Sequence, residues 1–98
     1  MSVYILASIK VEDWSEYGKY QDGFLEIFGR YNGELLVVSD EPKVIEGEWP
    51  FTRAVVIRFP SEEEARRWYE SPEYQALSQH RWRGSKGTII IAEGLASP

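Results

Sequence analysis

Apolar and often β-branched residues are concentrated in four short segments of the chain, at residues 3–10, 34–39, 52–59 and 88–93. Segments of this length and composition predict four β-strands, in which successive side chains point to opposite faces. The first strand is apolar on both faces, because Leu6 and Tyr4 point away from the side that carries Ile5. A sheet of such strands needs a covering layer on each face.

A helical period of apolar residues follows the first strand. Aromatic side chains recur every three or four residues from Trp14 to Tyr31, which predicts a helix with one aromatic stripe. Asp13 is its predicted N-cap. Asn32 and Gly33 are predicted to end it, because both residue types tolerate the left-handed backbone of a C-terminal cap.

A second helical segment begins after the third strand. Ser61, followed by Glu64 three residues later, forms a capping-box pattern that predicts a helix start. Ser71 and Pro72 form a second start, because serine favours the N-cap and proline the first helical position. We therefore expect this helix to break and restart. Residues 84–87 are predicted to form the turn before the last strand.

The order of these elements is β-α-β-β-α-β over 98 residues, which predicts one domain spanning residues 1–98. Right-handed crossovers then give an α+β, ferredoxin-like fold: a four-stranded antiparallel sheet with two helices on one face. The other face would leave a large apolar patch in water. The simplest partner to cover it is a second copy of the chain, sheet against sheet in a homodimer.

Composition narrows the classes of partner. A net charge of −5 and a pI near 4.9 disfavour nucleic acid, because phosphate binding draws on clustered Lys and Arg. No apolar run approaches the length of a membrane span, so no membrane partner is expected. The absence of cysteine excludes disulfides and suits the reducing cytoplasm, which is the predicted location.

Metal binding has little support in the sequence. The chain holds one His and no Cys, so only carboxylates remain as further ligands. The acidic residues 62–64 fall in the first turn of a helix, where the helix dipole explains them. We therefore expect neither a metal nor a cofactor.

These residues carry a resemblance to a known family over nearly the whole chain. The most specific elements are Glu46, Gly47 and Trp49 near a turn, and Ser71, Pro72 and Tyr74 at a helix start. Weaker elements are Tyr4 and Ile5, Tyr17 and Tyr20, Gly33, the sequence Phe59, Pro60 and Ser61, Ala65, Trp68 and Tyr69, Glu73 and Leu77. In this pattern the chain resembles the domain of unknown function thirteen-thirty family, within the dimeric α/β-barrel superfamily.

The resemblance implies a sheet-to-sheet dimer with a cavity in each protomer between sheet and helices. It implies no reaction. Better-known members of the superfamily include cofactor-free monooxygenases, haem-degrading enzymes, muconolactone isomerase and chlorite dismutase, and extending their activities to this chain is analogy of fold alone.

Arg58 and His80 are the candidates for catalysis. Arg58 lies in a strand interior, where a charge is rare. It pairs with a carboxylate such as Glu46 or Glu93, packs its stem while its head reaches solvent, or holds an anionic ligand. His80 either lies in solvent at a helix end or transfers protons. Arg53, near a strand start, is predicted to be exposed at the rim. The basic cluster around Arg81 is predicted to be a solvated helix end.

The aromatic residues are candidates for the wall of a pocket. Tyr17, Tyr20, Trp68 and Tyr74 either pack as core or line a small-ligand site with a few polar groups. Trp49, beside Glu46 at a hairpin tip, is predicted to insert into the dimer interface or to cover the pocket mouth. The predicted ligand-binding set is Tyr17, Tyr20, Glu46, Trp49, Arg58, Trp68 and Tyr74.

Three functions follow as hypotheses. The first is binding of a small organic molecule, either neutral or anionic, in an aromatic pocket between sheet and helices. The second is a cofactor-free monooxygenase or isomerase that uses the same pocket. The third is a dimeric scaffold or sensor without catalysis.

Overall fold

The chain forms one four-stranded antiparallel sheet with three helices on one of its faces. The computed structural model describes residues 2–95. The elements are β1 (Val3–Val11), α1 (Trp14–Phe28), β2 (Glu34–Ser39), β3 (Arg53–Phe59), α2 (Glu62–Tyr69), α3 (Pro72–Gly84) and β4 (Ser85–Glu93). The predicted ferredoxin-like fold is confirmed. The predicted second helix is divided into α2 and α3 at Ser71, where its break was expected.

The two long crossovers place β1 and β3 at the centre of the sheet, in the strand order β2-β3-β1-β4. Ile5 of β1 lies opposite Ile57 of β3 and Ile91 of β4, so these three form one row beneath the helices. Phe59 and Trp68 pack over the same face, with 0% and 2% exposure. The core therefore lies between this helix face and the helices.

Three side chains cap the helix starts as predicted. Asp13 accepts from the backbone N–H groups of Ser15 and Glu16 at the start of α1. Ser61 accepts from the N–H of Glu64 at 3.2 Å, and Ser71 caps α3 in the same way. These caps satisfy N–H groups that a helix start leaves without partners.

The end of α1 differs from the prediction. The helix ends at Phe28 and is capped by Gly29, four residues before Gly33. Gly33 has another role: a Cβ atom there would lie 2.6 Å from the rings of Phe28 and Phe59. The glycine is thus required by close packing against the core, since no left-handed backbone occurs at that position.

The predicted turn before the last strand is also wrong. Helix α3 runs through Gly84, and β4 begins at once with Ser85. Gly87 lies inside the strand, where a Cβ atom would meet the carbonyl oxygen of Ser8 at 2.5 Å. Its glycine allows the backbones of β1 and β4 to approach closely.

The face of the sheet opposite the helices, here called the open face, carries an apolar row across all four strands. Val37 pairs with Val56, Val56 with Leu6, and Leu6 with Ile90. Val37 and Ile90 are 41% and 50% exposed. None of the helices in the described part of the chain has the length and apolar character that crossing a membrane requires.

Candidate functional site

A cavity of about 180 Å³ lies between the helices and the sheet, and is called the helix–sheet cavity below. All four strands supply aliphatic side chains to its floor, and the three helices supply aromatic side chains to its roof. Leu25 and Val38 belong to the wall although they are 68% and 50% exposed, so the cavity opens between α1 and β2. A concave, mostly apolar site of this kind is the usual form of a small-ligand pocket.

Tyrosines from two helices meet in the roof. Tyr17 and Tyr20 lie one turn apart on α1, and Tyr74 lies in the first turn of α3, positioned by the cap at Ser71. The hydroxyl groups of Tyr20 and Tyr74 are 2.6 Å apart and form a buried hydrogen bond. Burial raises the pKa of both phenols, so both stay neutral and able to donate at physiological pH.

Trp68 forms the centre of the aromatic roof. It lies in α2 with 2% exposure, and its ring centroid is 4.3 Å from that of Tyr74. Phe59 stacks on its other side at 5.5 Å. The indole Nε1 is buried and has no hydrogen-bond partner among residues 2–95. Because an indole nitrogen can only donate, this position lacks an acceptor.

Arg53 enters the cavity wall from the start of β3. Its guanidinium donates to both carboxylate oxygens of Asp40, at 2.5 and 3.1 Å, and its Cζ lies 5.4 Å from the ring centroid of Tyr17. The hydrogen bond from Arg53 lowers the pKa of Asp40 below its ordinary value. The positive charge of Arg53 is therefore matched by a neighbouring carboxylate.

Arg81 enters the wall from the last turns of α3. The residue is only 7% exposed, and its Nε and Nη2 atoms have no hydrogen-bond partner within the described part of the chain. No Asp or Glu lies among the described residues that line the cavity. Arg81 thus places an unmatched positive charge at the wall of an apolar cavity.

Four residues of the predicted ligand-binding set lie together in this wall, namely Tyr17, Tyr20, Trp68 and Tyr74. Glu46 and Trp49 do not line the cavity; they lie in the loop between β2 and β3. Glu46 is exposed, and Trp49 is partly buried with its ring 5.0 Å from that of Phe51. The predicted role of Trp49 at a dimer interface or a pocket mouth stays a prediction.

The two residues proposed for catalysis lie outside the cavity. Arg58 points to the open face and donates to both carboxylate oxygens of Glu34 at 2.7 Å. It therefore does not line the helix–sheet cavity, and its predicted role in ligand binding stays a prediction. The salt bridge expected for Arg58 is present, but its partner is Glu34 on the adjacent strand and not Glu46 or Glu93. His80 lies on α3 at the side that faces α1, with Nδ1 2.8 Å from the carboxylate of Glu16. Both side chains have structural partners where they stand.

Sequence reasoning missed Arg53 and Arg81 as residues of the cavity. Arg53 was expected at the exposed rim, but its side chain is only 12% exposed. Arg81 was expected in a solvated cluster, and it is buried. The sequence contained a signal in both cases. Arg53 lies two residues before the inward-facing Val55 and so shares its face of the strand, and Arg81 lies two helical turns after Tyr74 and so shares its face of the helix.

No group of three or more His, Asp or Glu side chains within residues 2–95 is arranged to hold a metal ion. The cavity wall itself offers hydrogen-bond donors, from Arg81, Trp68 and the tyrosines, and few acceptors. Donors of this kind suit an organic ligand that carries oxygen acceptors rather than a cation.

Comparison with known proteins adds a family and a fold. The family model described as "Domain of unknown function (DUF1330)" matches residues 2–95. No curated protein matches the sequence.

Three solved structures share the fold. A Rhodopseudomonas palustris protein of unknown function, RPA0582, is 14% identical with a TM-score of 0.79, over 98% of this chain and 84% of that one. SnoaB, a cofactor-independent oxygenase from Streptomyces nogalater, is 12% identical with a TM-score of 0.68, over 98% and 95%. A dabb family protein with a ferredoxin-like fold from Mesorhizobium loti is 15% identical with a TM-score of 0.64, over 97% and 98%. At such low identity the likeness establishes the fold alone.

Proposed function

The chain belongs to the DUF1330 family, and from the geometry of its cavity we propose that it binds a small organic molecule between the helices and the sheet. The observation that carries this proposal is the helix–sheet cavity itself. Protein interiors are normally close-packed. The cavity leaves about 180 Å³ beside apolar side chains unfilled, and those side chains lack the packing contacts that a bound ligand would supply. A small domain has little stability to spare, so a retained cavity favours a ligand that fills it.

Filling the cavity with a side chain tests this proposal. Ala7 lines the floor, and Ala7→Leu adds three carbon atoms to the cavity from a central strand. We expect the variant to fold with equal or greater stability, because the added atoms occupy empty space, and to lose binding of the one-ring probes benzoate and benzamide. Nuclear magnetic resonance titration measures binding. Ala76→Leu, at an exposed position of α3, is the matched control. Equal binding by both variants and the wild type would refute the proposed site.

A cofactor-free oxygenase or isomerase is the second candidate, and the Tyr20–Tyr74 pair favours it. In a pair of neutral phenols hydrogen-bonded at 2.6 Å, one O–H donates to the other phenol, and the remaining O–H can donate to a developing oxyanion. The fold is shared with a cofactor-independent oxygenase. Turnover of an enolisable substrate by the wild type, reduced in Tyr74→Phe at unchanged binding, would support this candidate. Binding without turnover would support the third candidate, a sensor or scaffold.

We propose also that the binding form is a homodimer, assembled through the open face. The apolar row from Val37 to Ile90 crosses four strands, which spans roughly 14 Å at the usual strand spacing. The chain exposes 6484 Å², against about 5,800 Å² for a compact monomer of its mass. This excess fits a flat molecule with one uncovered sheet face. The cytoplasmic location stays a prediction, which cell fractionation tests.

A further inference from the structure

Arg81 is a buried cation without a matched anion. It is 7% exposed, and Nε and Nη2 lack hydrogen-bond partners within residues 2–95. A guanidinium remains protonated in proteins, and a buried charge is unfavourable unless it is paired and hydrogen-bonded. The folded chain therefore leaves two hydrogen-bond donors of Arg81 without acceptor atoms.

The neighbours of Arg81 hold its guanidinium without neutralising it. Its Cζ lies 5.6 Å from the ring centroid of Tyr20 and 5.7 Å from that of Trp82. Both distances fall within the range of cation–π attraction. The rings of Tyr20 and Trp82 stabilise the cation in one place, and the N–H groups on Nε and Nη2 stay available to another partner.

Of the two arginines in the cavity wall, Arg53 is paired with a carboxylate and Arg81 is not. Both arginines line the same cavity, but Arg53 is bound to Asp40 through two hydrogen bonds. Within the described part of the chain, Arg81 has no such partner. The wall therefore carries one unmatched positive charge, which a ligand with a single negative charge would balance. A dianion would leave its second charge in apolar surroundings.

A second unsatisfied donor supports the same kind of ligand. Trp68 lies in the cavity roof, and its Nε1 is buried without an acceptor in the described part of the chain. Arg and Trp side chains only donate. A ligand that brings acceptor oxygens into the cavity complements both residues, whereas a cation or a pure hydrocarbon complements neither.

The volume of the cavity limits the body of the ligand. The cavity measures about 180 Å³, and an apolar protein cavity of about 150 Å³ is known to hold benzene. The remaining walls are aromatic and aliphatic, which disfavours a strongly hydrated inorganic ion. The body that fits is apolar and about as large as one six-membered ring.

Resting on the binding function proposed above, we propose that the ligand is a one-ring organic monoanion whose carboxylate or enolate oxygen accepts hydrogen bonds from Arg81. The body of this anion lies against Trp68 and the tyrosines. Arg81 is thereby assigned as the anchor that selects anions over neutral molecules of the same shape.

Titration of the full chain with benzoate and with its neutral isostere benzamide tests this assignment by calorimetry. We expect the wild type to bind benzoate at least about tenfold more tightly, as a hydrogen bond to a charged group warrants. Arg81→Met removes the charge and keeps much of the side-chain length, so the two probes should then bind about equally. Arg66→Met removes a cation from the exposed side of α2, outside the cavity, and should keep the wild-type preference.

The outcomes separate this inference from the function on which it rests. Equal binding of the two probes by the wild type overturns the anion preference and leaves the cavity as a binding site. No saturable binding of either probe overturns both proposals. An unchanged preference in Arg81→Met, with a lowered Tm, would show a purely structural arginine. If the methionine variant does not fold, Arg81→Lys replaces it, because lysine keeps the charge but lacks the forked N–H donors of a guanidinium. A reduced preference for benzoate then supports the assignment, and an unchanged preference overturns it.

Discussion

At the scale of single residues, one carboxylate distinguishes the two arginines of the cavity. Arg53 and Arg81 both reach the wall, but among the described residues only Arg53 has a bound partner, in Asp40. Residue type and burial alone would rank them as equivalent. The difference in function that we propose for them follows from that one neighbour.

Two helical glycines, Gly84 in α3 and Gly18 in α1, are predicted to respond in opposite ways to substitution by alanine. A Cβ atom on Gly84 would lie 2.9 Å from the backbone nitrogen of Tyr17 and 3.0 Å from the carbonyl oxygen of Asp13. Backbone atoms cannot move aside as a flexible side chain does. We therefore expect Gly84→Ala to lower the free energy of unfolding by about 1–3 kcal/mol, measured by urea denaturation.

Gly18 is the control for this substitution. It lies inside α1, and among the described residues no neighbouring atom comes within 4 Å of the point that a Cβ atom would occupy. Gly18→Ala should raise the free energy of unfolding by about 0.5–1 kcal/mol, because alanine loses less backbone entropy in a helix. Equal effects of the two substitutions would contradict the close approach of α1 and α3 at Gly84.

At the scale of elements, the break between α2 and α3 builds the roof of the cavity. Ser71 accepts from the N–H of Tyr74 and donates to the carbonyl oxygen of Trp68, so it joins the end of one helix to the start of the next. The change of direction brings the rings of Trp68 and Tyr74 within 4.3 Å. A continuous helix would place residues six positions apart on different faces.

Glu16 links α1 to α3 and predicts a pH dependence. Its carboxylate lies 2.8 Å from Nδ1 of His80 and 3.3 Å from Nζ of Lys19. The hydrogen bond with His80 is the main cause that lowers the pKa of Glu16. An acid whose folded pKa is lowered stabilises the fold above its unfolded pKa, and this stabilisation is lost as pH falls through the folded pKa.

Urea unfolding of Glu16→Gln across acidic pH measures this contribution. The wild type should be more stable than the variant at neutral pH, and the difference should shrink between about pH 5 and pH 2. Glu26→Gln, at a carboxylate that is 80% exposed, should show a smaller difference. A gap between wild type and Glu16→Gln that stays constant over this range would contradict the role of the carboxylate.

At the scale of the whole molecule, the uncovered sheet face is the feature that bears on assembly. The helices cover one face, and the other carries the apolar row of Val37, Val56, Leu6 and Ile90. Exposed apolar surface of this extent is typical of a surface that meets a partner. A two-fold axis would place the row of one copy against the same row of the other.

Leu6→Lys tests the dimer because Leu6 lies at the centre of the row, on β1. In a two-fold interface the substitution would bring two ammonium groups together, and like charges in contact cost several kcal/mol. We expect a dimer for the wild type and a folded monomer for Leu6→Lys in sedimentation equilibrium. Ala76→Lys, on the exposed side of α3, should leave the dimer intact. A monomeric wild type at micromolar concentration would refute the assembly.

Local patterns predicted most of the fold but only part of the site. Strand alternation and the caps at Asp13, Ser61 and Ser71 depend on neighbours close in sequence, and the structure agrees with them. The aromatic wall followed from the same helical period. The pairing of Arg58 with Glu34 was not predicted, because it depends on the register of two strands that are far apart in sequence.

The sequence by itself determined the order of strands and helices and the three helix starts, because backbone propensity, capping and periodicity act within a few residues. Only the tertiary structure decided that Asp40 reaches Arg53 while no carboxylate of the described residues lines the cavity beside Arg81. Those contacts join residues far apart in the chain, and charge pairing depends on distances that appear only after folding. The free cation of the cavity is therefore a property of the fold rather than of any local motif.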